Sequence, residues 1–185
     1  MKRETGACPR SRHAAPAISN QHSHMVISAT SWTLTPEDEH ALRQGMERLL
    51  QETGAHSAML VDRGGQLLVQ AGTAPTFDAT TFATLTAADF SANDQLARLL
   101  GETDFTSLVH QGERESMLVA DIAHRAILVV LFDGTTTLGL VRLRLRPVAE
   151  DLARIVDVMA SRGAQAGASR PILAGADDEI DRLFQ

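Results

Sequence analysis

The chain has 185 residues, 44% hydrophobic and 22% charged, with a formal charge of −6 at pH 7, enough for one domain with a real core plus tails. The acidic balance, aromatics at 4% and the absence of tyrosine argue against a nucleic-acid partner. No apolar run is long enough to cross a bilayer, so no membrane insertion is expected. Every basic residue but Lys2 is arginine, which removes P-loop and Schiff-base lysines from the folded region. The chain is therefore not expected to hydrolyse nucleotide itself. A lone cysteine, Cys8, makes no internal disulfide, and the N-terminus carries no apolar signal segment; both fit a reducing cytoplasm.

Residues 1–30 are rich in small polar residues without a sustained period. They are expected to be a disordered tail, or to lie upstream of a start at Met25. Cys8, His13, His22 and His24 match no standard zinc spacing, so neither a metal nor a cofactor is expected. A helix opens at Thr35-Pro36-Glu37-Asp38, with Thr35 as N-cap and acids at the positive dipole end. Leu42, Met46, Leu49, Leu50 and Thr53 recur at helical spacing, and Gly54 is the stop. Two β-prone runs follow, His56–Asp62 and Gln66–Ala71. The glycine turn between them reads as a hairpin and not a phosphate cradle, because no helix begins there.

The second helix, Phe77 to Gly101, has two apolar faces. At about 100° per residue, Phe82, Leu85, Ala88, Ala92, Leu96 and Leu99 gather on one side and read as the core stripe. Ala83, Ala87, Phe90, Asp94, Ala97 and Gly101 fall nearly opposite, a seam of small residues where another backbone could come close. Strands are expected at Asp104–His110, Ser116–Ile122 and Arg125–Phe132, the last apolar on both faces and hence central. From Leu138 the pattern supports two readings. Val141 to Arg146 alternates like a strand, whereas Leu138, Val141, Leu145, Val148, Leu152, Ile155, Val156 and Met159 form a helical stripe. Small residues make a flexible linker at 162–176. The closing segment 177–185 places Ile180, Leu183 and Phe184 on one helical face behind an acidic first turn. It reads as a short motif that folds onto a partner or back onto its own domain.

Local wording adds to this. Val61-Asp62-Arg63-Gly64-Gly65-Gln66-Leu67, Leu85-Thr86-Ala87-Ala88-Asp89-Phe90 and Leu99-Leu100-Gly101-Glu102 with Phe105 resemble the roadblock/LC7 family in its bacterial MglB-type branch. So do His110-Gln111-Gly112-Glu113-Arg114-Glu115, Leu128–Asp133, Thr136–Arg144 and the closing DDEIDRLF. The resemblance implies an α+β fold of order αββαβββα over residues 33–161. Its five-stranded antiparallel sheet would carry the second helix on one face and the other two helices on the opposite face. It resolves 138–161 in favour of a helix, with Pro147 the departure from pattern. It further implies a homodimer, joined through the second helix and the strand after it, that binds a small Ras-like MglA-type GTPase in its GTP-bound state. Two protomers would serve each GTPase and speed hydrolysis by repositioning the GTPase's own groups, in control of polarity or motility, in the cytoplasm with concentration at a cell pole. No arginine finger is nominated from Arg63, Arg98 or Arg114. The expected GTPase contacts are Ala97 and Gly101, with Ala87, Phe90 and Asp94 nearby, and Ile180, Leu183 and Phe184 as a second contact. A scaffold that holds proteins without changing GTP turnover is the rival class. An enzyme ranks last, since no nucleophile–base pair, metal cluster or phosphate loop is evident.

Overall fold

A computed structural model describes residues 34–103 and 105–168. The N-terminal tail and the segment 177–185 lie outside the described residues. The order is α1 (Pro36–Thr53), β1 (Ser57–Asp62), β2 (Leu67–Gly72), α2 (Ala79–Leu99), β3 (Ser107–Gln111), β4 (Glu115–Ile122), β5 (Ala126–Asp133) and α3 (Leu138–Ala168). This is the expected αββαβββα succession.

The start of α1 is built as its sequence indicates. The Thr35 hydroxyl accepts from the Asp38 amide at 3.3 Å, and the Asp38 carboxylate accepts from the Thr35 amide at 3.0 Å. This reciprocal box satisfies two donors that a helix end otherwise leaves orphaned, and is worth about 1 kcal/mol. Burial raises the pKa of the Asp38 carboxyl, but hydrogen bonds from Thr35 and Arg162 outweigh it and hold the group below its usual range. Gly54 closes the helix in the left-handed conformation, φ 75°, with its amide on the Leu50 carbonyl. The buried stripe is Leu42, Met46, Leu49, Leu50 and Thr53.

All five strands pair antiparallel in the order β2-β1-β5-β4-β3, which leaves β2 and β3 as edges. β5 is central and its inner residues are buried on both faces, matching its unbroken apolar run. The β4–β5 hairpin turns through Ala123, His124 and Arg125, with Ala123 and His124 both at positive φ (54° and 53°) and the Arg125 amide on the Ile122 carbonyl at 3.1 Å. Asp121 holds that turn by accepting from the His124 amide at 2.9 Å.

Strand alternation sorts the core into two layers. Ala58 and Leu60 of β1, Leu118 and Ala120 of β4, and Leu128, Val130 and Phe132 of β5 pack beneath α1 and α3. Met59, Val61, Val119, Ile127 and Val129 point the other way, beneath α2 alone.

α3 is one helix, so the strand reading of Val141 to Arg146 does not hold. Val141, Leu145, Val148, Leu152, Val156 and Met159 line its buried side. The alternation came from Arg142, Arg144 and Arg146, which stand in water between buried residues of a helical period. Pro147 lies on the exposed side, where water can take the Leu143 carbonyl that its missing amide leaves free. The helix also runs on to Ala168, into the stretch expected to be linker.

Candidate protein-binding site

The two faces of α2 are exchanged relative to their sequence reading. The helix buries Ala83, Thr86, Ala87, Phe90, Asn93 and Ala97. The leucines of the expected core stripe face outward instead: Leu85 is 65% exposed, Leu96 56%, Leu99 83%, and the adjoining Leu100 73%. Sheet volume explains the exchange. The side chains beneath α2 are large, so the helix fits closely by presenting alanines around the fully buried Phe90, with Phe82 half-buried at the edge of the layer.

This relocates the expected contact residues. Ala87, Phe90 and Ala97 are packed inside the protomer and are not available to a partner in this conformation. Asp94 is largely covered and accepts from Arg63 Nη1 at 2.5 Å. Gly101 alone of the five is exposed. It ends α2 at φ 81°, its amide on the Arg98 carbonyl at 3.1 Å and the Glu102 amide on the Ala97 carbonyl at 2.9 Å. That pair of bonds is the glycine-dependent helix end of the Schellman type. A Cβ added at Gly101 would meet nothing within 4 Å. Ile180, Leu183 and Phe184 lie outside the described residues.

Arg63, in the β1–β2 turn, anchors the C-terminal half of α2. Its guanidinium binds Asp94 of α2 and Asp121 of β4, and lies 4.9 Å from the centre of the Phe90 ring. Both terminal nitrogens are thus engaged within the protomer. At the other edge, His110 of β3 is hydrogen-bonded to Asp89 of α2 at 2.7 Å, tying the free edge strand to the helix.

A cleft of about 800 Å³ opens beside the N-terminal end of α2. Phe77, Phe82, Met117 and Leu131 are its main apolar lining, and His56, Glu115 and His110 supply polar atoms. Phe77 and Phe82 stack with ring centres 4.7 Å apart. His56 is hydrogen-bonded to Glu115 at 2.8 Å. Ser57, which also lines the cleft, is buried, and its hydroxyl has no hydrogen-bond partner among the described residues.

The outward leucines, the accessible Gly101, the free β3 edge and this cleft form a protein-sized surface. The sequence reading missed Leu85, Leu96 and Leu99 as surface residues and did not register the cleft. Its one available signal was the excess of apolar faces on α2 over what a single sheet can cover.

Comparison with known proteins places this architecture. The Roadblock/LC7 domain profile matches residues 44–132. The chain is 37% identical to Myxococcus xanthus MglB (TM-score 0.61), covering 63% of this chain and 95% of that one. It is 39% identical to the gliding protein MglB of Thermus thermophilus (TM-score 0.64), covering 69% and 96%. It is also 39% identical to an MglB solved in a tetrameric arrangement (TM-score 0.66), covering 70% and 97%. A search of the curated proteins gives no match. Among the described residues no helix is long and apolar enough to cross a membrane. Fold order, helix placement and identity across nearly the whole of these relatives agree: the chain belongs to the roadblock/LC7 domain family and is MglB-like.

Proposed function

We propose that this protein is a homodimeric activator of a small Ras-like GTPase of the MglA type, with no catalytic site of its own. The observation that carries the reading is the uncovered leucine face of α2 beside the free β3 edge, in a chain similar over its whole domain to MglB proteins. Two such faces brought together supply one surface broad enough for a GTPase to lie across.

Intrinsic hydrolysis by such GTPases is slow because the attacking water and the charge-stabilising groups are poorly held. An activator either inserts an arginine or reorganises the GTPase. Arg63, which lies over the Phe90 ring beside the helix seam, is clamped by Asp94 and Asp121, which favours reorganisation. The proposed contact centres on Gly101 and the outward residues Leu96, Leu99 and Leu100, with Ala87, Phe90, Asp94 and Ala97 shaping it from beneath. Ile180, Leu183 and Phe184 provide a second contact. The setting proposed is cytoplasmic, at a cell pole, in control of polarity or motility.

Since an activator must favour the state it acts on, the GTP-loaded GTPase should bind more tightly than the GDP-loaded one. Gly101→Arg should weaken that binding by about 100-fold while the domain stays folded, losing roughly 1–2 kcal/mol for a side chain in the left-handed region. Titration calorimetry with both nucleotide states and a urea melt check this. Equal affinity for the two states, or full binding by Gly101→Arg, would remove the site.

A further inference from the structure

On the face of the sheet away from α2, α3 covers β4 and stops short of the edge strand β3. A groove of about 570 Å³ remains between them. Its floor is apolar: Leu118 and Ala120 of β4, and Leu145, Ala149 and Ala153 of α3. Arg142 and Arg146 stand on its helical rim, and Arg154 continues their i, i+4 row. Arg142 has no ion-pair partner among the described residues, and Arg146 meets only Glu150, at 4.0 Å. Asp121, the other acid at the groove, is already committed to Arg63 and to the His124 amide.

The sequence that follows Ala168 carries the complementary surface. Ile180, Leu183 and Phe184 share one helical face, and Asp177, Asp178, Glu179 and Asp181 outweigh the single Arg182. The connection from Ala168 to Asp177 spans at most about 30 Å when fully extended. Ala153 lies about 22 Å back along α3 from Ala168, and Arg142 about 39 Å. The segment therefore reaches the groove by turning back antiparallel to α3, whereas a parallel run starting at Arg142 is too far. As a flexible chain the connection has an r.m.s. span of about 17 Å, close to the shorter distance, so it holds the segment there at about millimolar concentration. A helix over 177–185 is about 14 Å long, which fits the stretch of about 17 Å from Arg142 to Ala153. The cleft beside α2 is a poorer match, since Glu115 and Asp133 in its wall would repel the acids.

We propose that the groove between α3 and β3 is the docking site of the chain's own segment 177–185. The segment lies there antiparallel to α3, with Ile180, Leu183 and Phe184 on the apolar floor and its acids between Arg146 and Arg154. The docking does not depend on the activator reading. Where that reading holds, the same apolar face is the second GTPase contact, so groove and GTPase compete for it.

The test uses the full chain in a Cys8→Ser background. With Ala149→Cys and Leu183→Cys together, mild oxidant should consume both thiols and leave the product at the single-chain mass of 19.9 kDa on a denaturing gel. Val158→Cys with Leu183→Cys is the control, because Val158 is exposed, outside the groove lining and nearer to Ala168. A tail that docks nowhere would reach Val158 at least as fast, whereas docking should make closure there about tenfold slower than at Ala149. Arg142→Glu with Arg146→Glu, both at exposed positions, should slow closure at Ala149 by about tenfold and leave the urea melt unchanged. Equal rates at the two positions, or a rate indifferent to the charge reversal, would overturn the proposal. So would a product at twice the single-chain mass, which would put the segment of a second copy in the groove. GTPase binding that is the same before and after closure would reject the tail's GTPase contact alone, since the closure rates decide the groove by themselves.

Discussion

Ala97→Arg should unfold the domain. Ala97 has no exposed surface and lies on the buried side of α2, one turn before the helix end. A guanidinium there has no room and no carboxylate reserved for it, since Asp94 already serves Arg63. Overpacking costs about 1–3 kcal/mol and an uncompensated buried charge about 3–5. A total near 4 kcal/mol or more is a large share of the roughly 5–15 kcal/mol that a domain of this size possesses. Urea denaturation followed by circular dichroism should show a collapse of the midpoint, in contrast to the modest loss at Gly101→Arg. A wild-type melt for Ala97→Arg would mean that the alanine seam does not face the sheet. The comparison also guards against a false conclusion: a binding assay alone would score both variants as contact mutants.

Phe90→Ala should be the costliest simple truncation on α2. The ring is fully buried among Met59, Val61, Val119, Ile127 and Val129, and it is the one large side chain of the helix that this layer buries completely. Removing it leaves a cavity between rigid strands that cannot close over it, for a loss of about 3–5 kcal/mol. It also strips Arg63 of the ring face 4.9 Å away, a contribution of about 0.5–1 kcal/mol. Phe90→Leu keeps most of the volume and should cost under half as much. A chemical melt of both variants decides it. Equal, small losses would show that the α2 layer is not held through Phe90.

How much was legible in the sequence follows from where the pattern was determined locally. α1 was readable end to end, because Thr35, Pro36, Asp38 and Gly54 each supply a boundary and one stripe faces one core. The hairpins were readable for the same reason, although β3 begins at Ser107 and not at Asp104. The faces of α2 were not, because periodicity shows that two apolar stripes exist and not which one the sheet takes. That choice depends on Met59, Val61, Ile127 and Val129, large residues distant in sequence that leave room for alanines around one ring, Phe90. Hydrophobicity alone favours the leucines, and the leucines are on the outside. Val141 to Arg146 misled in a similar way, since alternate arginines on a helix with a wide buried face imitate a strand. The cleft had no sequence signal, as it is assembled from segments far apart in the chain.

The most direct test of the account is GTP turnover by an MglA-type GTPase, measured alone and with saturating amounts of this protein. Acceleration is predicted with the wild type, little with Leu99→Arg or Gly101→Arg, and none from this protein in the absence of the GTPase. Unchanged turnover beside demonstrated binding would contradict the account and leave a scaffold in its place.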